Sequence, residues 1–265
     1  MSKPVSTERI AALEWANYAV LQQIAEVTPG LHVDLRSDRI INTSAFPTVD
    51  ANHACLIRTT SGRMETIVDE VVARFRLNPR RPSFFLSPAC TPSQFADYLM
   101  ERGFTRQETE EAWLIFDRLG ERELLEPDSS IAVRSIRREE VGAVSTVFCR
   151  SFGMSRLLIP LLRWYLAPSL GLEDVHYYAA FVDERPVGTC FWRRHGDIGI
   201  LGGVGVVPEV RRTRVATTLV VRAMADAAKD GVETVIIQTE ANTPLERLLR
   251  ISGFERAFTR TCFSR

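Results

Sequence analysis

The chain lacks any apolar run of the ~18–20 residues that a membrane-crossing helix requires. It also lacks an excess of either charge, since 33 Lys and Arg stand against 33 Asp and Glu. That balance argues against a general binder of nucleic acid or membrane, which needs a basic surface. Cysteine is sparse: Cys55, Cys90, Cys149, Cys190 and Cys262 are scattered, odd in number and never form C-x-x-C. This excludes a disulfide framework and predicts reduced, mostly buried thiols, with no metal site. The opening Met1-Ser2-Lys3-Pro4 has no apolar signal core, so a cytoplasmic protein is expected.

What remains is an ordinary globular composition, with 45% hydrophobic residues in 265. That length allows one large domain or two of usual size. Residues 120–130, with Gly120, Pro127, Ser129 and Ser130, read as a linker. Before it, residues 7–27 predict an amphipathic helix with Ile10, Leu13, Tyr18, Leu21 and Ile24 turned inward. Strands are expected near 31–35, 39–43, 53–58, 83–87 and 112–116, and helices at 65–76 and around Tyr98 and Leu99.

The most informative segment is Val206-Val207-Pro208-Glu209-Val210-Arg211-Arg212-Thr213-Arg214-Val215-Ala216-Thr217. An apolar run stops at Pro208, a basic turn follows, and a helix begins with Ala216, Leu219, Val220 and Ala223 at helical spacing. Arg211, Arg212, Arg214 and Arg222 face a single acid, Glu209. Free N–H groups of a first helical turn and the helix dipole favour an anion there. Guanidinium groups add charge-assisted bonds to phosphate. The residues therefore predict a phosphate-bearing ligand, against the plainer alternative of a basic turn that meets solvent.

This segment resembles the acyl-CoA pyrophosphate loop of the GNAT N-acetyltransferases, Q/R-x-x-G-x-G/A after V-x-P. Arg211 matches the first position and Ala216 the last, while Arg214 stands where the family has glycine. Downstream, Thr239-Glu240-Ala241-Asn242-Thr243-Pro244 and Gly253-Phe254 resemble the family's ending. Residues 131–137 resemble its opening strand, and 177–183 with 186–193 its central hairpin. The likeness covers residues 131–265 in order. Residues 83–104 echo the ending: a strand, Thr91-Pro92, a helix, then Gly103-Phe104. The resemblance thus implies an α+β protein of two GNAT-like domains, each a mixed, mostly antiparallel sheet flanked by helices. Residues 1–119 would be a degenerate half without CoA, because Thr60-Ser61-Gly62-Arg63-Met64-Glu65 lacks the loop spacing.

The resemblance also implies chemistry: transfer of an acetyl group from acetyl-CoA to a small-molecule or peptide amine, by direct attack in a ternary complex. Arg211, Arg212, Thr213, Arg214, Val215, Ala216 and Thr217 would hold pyrophosphate, Val206 and Val207 pantetheine, and Asn242 the cofactor arm. Gly202, Gly203 and Gly205 favour a bulge and close backbone approach. The family's acidic tyrosine is replaced by Leu249, and its strand glutamate is absent. Glu240 and Asp197 are the carboxylates expected to take the proton through water, with His195, Tyr177, Tyr178 and Cys190 as further candidates. The alternative is a non-catalytic acyl-CoA-binding or interaction module with a degenerate site. No metal, nucleic acid or membrane is expected, and a homodimer is left open. Residues 151–172 fall where the family places its acceptor-covering helices, with core packing or contact with the first half as the plainer reading, and Arg256, Arg260 and Arg265 would alternate on a solvated edge strand.

Overall fold

The computed structural model describes residues 4–76 and 81–265; Met1-Ser2-Lys3, read above for a signal core, lies outside them. The chain forms two compact units. The first comprises Met1–Leu114, Gln238–Arg250 and Glu255–Arg265, and the second Ile115–Ile237 and Ile251–Phe254. This grouping differs from a division at the 120–130 linker, because the C-terminal segments fall in the first unit.

In the first unit, α1 (Thr7–Val27) starts at Ser6, whose hydroxyl accepts from the Arg9 N–H at 3.2 Å. Its apolar spacing buries Ile10, Leu13, Tyr18 and Ile24, as expected. Strands β1 (His32–Arg36) and β2 (Arg39–Thr43) form a hairpin, and β3 (His53–Cys55) returns antiparallel to β2. Helix α2 (Met64–Arg76) then leads to β4 (Ser83–Leu86), parallel to β3. Helix α3 (Phe95–Glu101) and β5 (Thr105–Asp117) follow. The apolar faces of α2 and α3 enclose Ile67, Val71, Phe84, Phe95, Leu99 and Phe104.

The second unit repeats that order. After β6 (Ala132–Ser135), α4 (Val141–Ser151) and α5 (Ile159–Ser169), the strands β7 (Val175–Val182) and β8 (Arg185–His195) form a hairpin. Strand β9 (Ile198–Val206) returns antiparallel, α6 (Val215–Lys229) crosses over, and β10 (Thr234–Glu240) is parallel to β9. Hairpin, returning strand, crossover helix and parallel strand thus occur twice, which is the duplication read from the sequence. The linker is tied down: the Asp128 N–H donates to Thr218 Oγ1 at 3.1 Å, and the Arg122 guanidinium stacks 4.0 Å over Phe116.

The chain ends in α7 (Pro244–Ile251) and β11 (Glu255–Ser264). Thr243 Oγ1 caps α7 by accepting from the Glu246 N–H at 3.3 Å. The order of strands in the first unit is β1-β2-β3-β4-β11-β5, so β11 is interior. The expectation of a solvated edge strand is corrected here. Arg260 is buried at 1% exposure, and Arg256 forms a bidentate pair with the buried Glu246. A strand flanked on both sides has no solvated edge, and alternation turns one face of it into the core. Among the described residues, no helix is long and apolar enough to cross a membrane and no cluster could hold a metal ion.

Candidate functional site

The site in the second unit is built on β8 and β9. Their register runs Gly188↔Val206 and Thr189↔Gly205, then jumps to Phe191↔Gly202. Gly203 and Val204 therefore oppose the single residue Cys190, a β-bulge in which Gly203 takes a φ of 60°. Thr189 Oγ1 fixes it by donating to the Gly203 carbonyl at 3.0 Å. A side chain at Gly202 would collide with the Phe191 ring, and one at Gly205 would lie 2.8 Å from Phe152 and from Ser151 Cβ. Sequence reading found these glycines but not the rings that rest on them. A glycine cluster in a strand was the available signal for bulky neighbours on β8 and α4.

Registered pairing of β9 with β10 runs from Ile198↔Thr234 to Leu201↔Ile237 and goes no further among the described residues. Beyond Leu201, β9 keeps a free backbone edge. The Val207 N–H donates to the Val187 carbonyl at 2.9 Å, and the Val207 carbonyl accepts from the Val210 N–H. Both backbone groups of Val207 are engaged. Alternation along a strand turns the N–H of Val206 to the opposite, open edge. The Val206 carbonyl accepts from Arg211 Nε at 3.3 Å.

A short 3-10 turn at Pro208–Val210 then leads into the loop. Arg211 also donates from Nη2 to the Ser151 carbonyl at 2.8 Å, so its side chain anchors the end of α4 to the end of β9. Arg212 is exposed and adopts a left-handed φ of 64°. Thr213 Oγ1 donates back to the Val210 carbonyl at 2.7 Å. Arg214 precedes α6 with φ −81°, a conformation that needs no glycine. Its guanidinium swings out to the Glu126 carbonyl at 2.6 Å and leaves the loop clear. Val215 is buried, and the Ala216 and Thr217 N–H groups have no backbone acceptor among the described residues. The first turn of α6 thus presents two N–H donors and a helix dipole beside Arg212, which forms no ion pair among the described residues.

The residues expected to carry protons lie on several different elements. Asp197 lies in the exposed turn between β8 and β9, where its carbonyl accepts from Glu233 and Thr234 N–H groups. At ~3.3 Å per residue it is about 25–30 Å along the strand from Val206. Glu240 and Asn242 fall in the first unit. Glu240 is exposed; Asn242 has φ 64°, donates its N–H to Glu246 and accepts from Arg256 Nη2 at 3.0 Å, the bonds of a turn residue. Leu249 and Cys190 are buried, and Cys190 Sγ points to the Leu219 carbonyl of α6 with its thiol pushed up by burial. Tyr178 is buried against α6, donating to Asp226 Oδ2 at 3.0 Å, and burial pushes its pKa up to about 12. Tyr177 faces the other way, its hydroxyl 2.9 Å from Ser169 Oγ. His195 is half-buried at the end of β8.

A parallel pair whose registered pairing stops at Leu201 is thus followed by a loop and a helix N-terminus. Residues 143–254 match the model of the acetyltransferase (GNAT) family. That stretch of the chain is similar to the GNAT acetyltransferases. Across the whole chain the fold is shared with solved GNAT structures. A GCN5-related N-acetyltransferase from Kribbella flavida is 15% identical, with a TM-score of 0.71 over 99% of this chain and 96% of that one. A tandem GNAT protein from the clavulanic acid biosynthesis pathway is 12% identical, with a TM-score of 0.65 over 99% and 97%. A GCN5-related N-acetyltransferase from Sphaerobacter thermophilus is 16% identical, with a TM-score of 0.60 over 100% and 95%. No curated protein matches by sequence.

Proposed function

We propose that this protein transfers an acetyl group from acetyl-CoA to an amine by direct attack within a ternary complex. The observation that carries the reading is the free β9 edge ending at the uncapped N-terminus of α6. Pantetheine would pair with the Val206 N–H, as an added strand does at an open edge. Pyrophosphate would take the Ala216 and Thr217 N–H groups and the Arg212 guanidinium, with Thr213, Val215 and Val207 shaping the loop. Arg211 and Arg214 support it from behind, since their side chains are committed to carbonyls.

The amine lone pair attacks the thioester carbonyl carbon, the C–N bond forms, and the C–S bond breaks. The nitrogen's proton leaves through water to solvent, and the CoA thiolate takes a proton from solvent. The bulge at Gly203 lets the thioester approach backbone closely, where polarising donors act best.

The first unit is proposed not to bind CoA. The edge beyond β3 that would pair with pantetheine is already taken: the Thr91 N–H donates to the Ile57 carbonyl at 2.8 Å, and the Thr59 N–H to the Thr91 carbonyl at 3.1 Å. Residues 1–119 and 131–265 are, on this reading, the two repeats of a duplicated ancestor.

Calorimetric titration of acetyl-CoA, with CoA as comparison, tests the reading. Saturable binding is expected, and at a hundred times the dissociation constant it should stabilise the fold by about 2.7 kcal/mol. Thiol release with a panel of primary amines then separates a transferase from a binder without turnover. Absence of binding overturns the proposal.

A further inference from the structure

On β8, alternation places Thr189, Phe191 and Arg193 on one face, the face opposite Cys190 and Trp192, which turn to α6. Phe191 rests on Gly202 and Gly203 of the bulge and meets Tyr177 edge-on at 6.1 Å. The Arg193 guanidinium carbon lies 4.0 Å from the Phe191 ring centroid. One phenyl ring therefore separates a cation from the bulge where the thioester is proposed to lie.

Arg193 is half-buried, and among the described residues it forms no ion pair. Its Nε is shut from solvent and has no hydrogen-bond partner. A guanidinium with a buried, unsatisfied donor is costly, and the stack on Phe191 offsets part of that cost without using any N–H. Neighbouring arginines on the same unit are treated otherwise: Arg194 is paired to Asp174, Arg134 to Glu140 and Arg222 to Asp226. Tyr165 of α5 is near enough that the Arg193 charge opposes the upward push of burial on its phenol. Its hydroxyl has no hydrogen-bond partner among the described residues. A guanidinium and a largely buried phenol, neither with a hydrogen-bond partner among the described residues, thus lie near one another.

We infer that the acceptor amine carries a carboxylate, bound by Arg193 with Tyr165 beside it, one ring away from the reacting nitrogen. A single guanidinium and a neutral phenol match one negative charge spread over two oxygens, which suits a carboxylate better than a phosphate dianion. The substrate class is then amino acids or peptide ends that present an amine a short spacer from a carboxylate. This inference rests on the transferase reading for its chemistry, but the anion site itself does not depend on turnover.

The probes are glycine, β-alanine and γ-aminobutyrate, each beside its carboxamide. Thiol release should favour the acids over the amides by about tenfold or more through KM, the worth of one charge-assisted pair. Arg193→Gln should bring that ratio near one by raising KM for the acids, Arg193→Lys should keep part of it, and all three proteins should bind acetyl-CoA alike. Equal use of acids and amides by the wild type, or loss of both together in Arg193→Gln with acetyl-CoA binding intact, overturns the inference. If no amine is turned over, calorimetry on the same probes decides. An acid that binds the wild type and not Arg193→Gln keeps the anion site while removing the transferase reading; equal or absent binding of acids in both removes the anion site.

Discussion

Arg260 Nη1 of β11 donates to Glu14 Oε1 of α1 at 3.2 Å, and both side chains are buried, with exposures of 2% and 0%. Arg260 also donates from Nε to Glu111 Oε2 at 2.7 Å and from Nη1 to the Tyr18 hydroxyl at 3.1 Å. Its guanidinium is sandwiched by Phe85 and Trp113, each centroid 4.7 Å away. Ser87 donates to Glu14, and Trp113 Nε1 to Glu111. A cation in the core of the first unit is thus satisfied by two carboxylates, a phenol and two ring faces.

Removing one member of such a network leaves a buried charge without its partner. Arg260→Leu is expected to destabilise the protein by about 3–5 kcal/mol. The check is urea unfolding followed by tryptophan fluorescence, since Trp113 sits on the guanidinium. The triple change Arg260→Leu, Glu14→Leu, Glu111→Leu should recover much of that loss, because no uncompensated charge then remains.

The same core holds a histidine with a pH signature. His53 donates from Nδ1 to the Val49 carbonyl at 3.0 Å and accepts the Tyr18 hydroxyl at Nε2, so it is neutral. Burial, helped by the Arg260 charge, lowers its pKa from 6.5 to about 3. The unfolded chain therefore binds a proton that the folded chain refuses between these values. The stability contributed by neutral His53 is full above pH 6.5 and is lost as pH falls toward 3. Glu14 and Asp50, whose pKa values burial raises, work in the opposite sense. Comparing wild type with His53→Gln cancels them: the variant should lose less stability between pH 6.5 and 4.

The lines of the fold that depend on local pattern were legible in the sequence. Helix α1 followed from periodicity and the bulge from its glycines, while the β7–β8 hairpin followed from the resemblance of 177–183 and 186–193. Arg260 was not legible, because whether a strand is an edge depends on which distant segment lies beside it. Asp197 shows a related limit. Its type suits a base, but strand length sets its distance from Val206. In the candidate site, the sequence showed which residue types the loop holds but not which groups their side chains meet. Arg211 turned out to serve two carbonyls, a partnership with α4 that no local motif encodes.

That division of duties among the loop arginines can be measured. Arg212→Ala is expected to weaken CoA binding about tenfold or more, the effect of one charge-assisted phosphate contact. Arg214→Gly should change it less than about threefold, a shift of under ~0.7 kcal/mol, because Arg214 already points to Glu126 and needs no positive φ. Calorimetry with CoA distinguishes them; a large gain on Arg214→Gly would show that the arginine blocks the loop after all.

The bulge makes a separate demand. Gly202→Val puts atoms into the Phe191 ring and should cost about 1–3 kcal/mol by overpacking. Pairing it with Phe191→Ala should return much of the stability. Acetyl transfer should remain impaired in both, because the ring and the bulge together set the distance from thioester to acceptor. Thermal unfolding beside thiol release tests both halves.

Strand β11 lies between β4 and β5, and it carries the cation that Glu14 and Glu111 await. On the ribosome, the residues of the second unit are all made before that strand emerges. The unit that begins the chain is therefore finished last, and until then it holds two core carboxylates without their arginine and an unfilled gap in its sheet. Domains ordinarily complete themselves in the order of synthesis. Here the order is inverted, and a chain cut before β11 would be spoiled in the unit it made first.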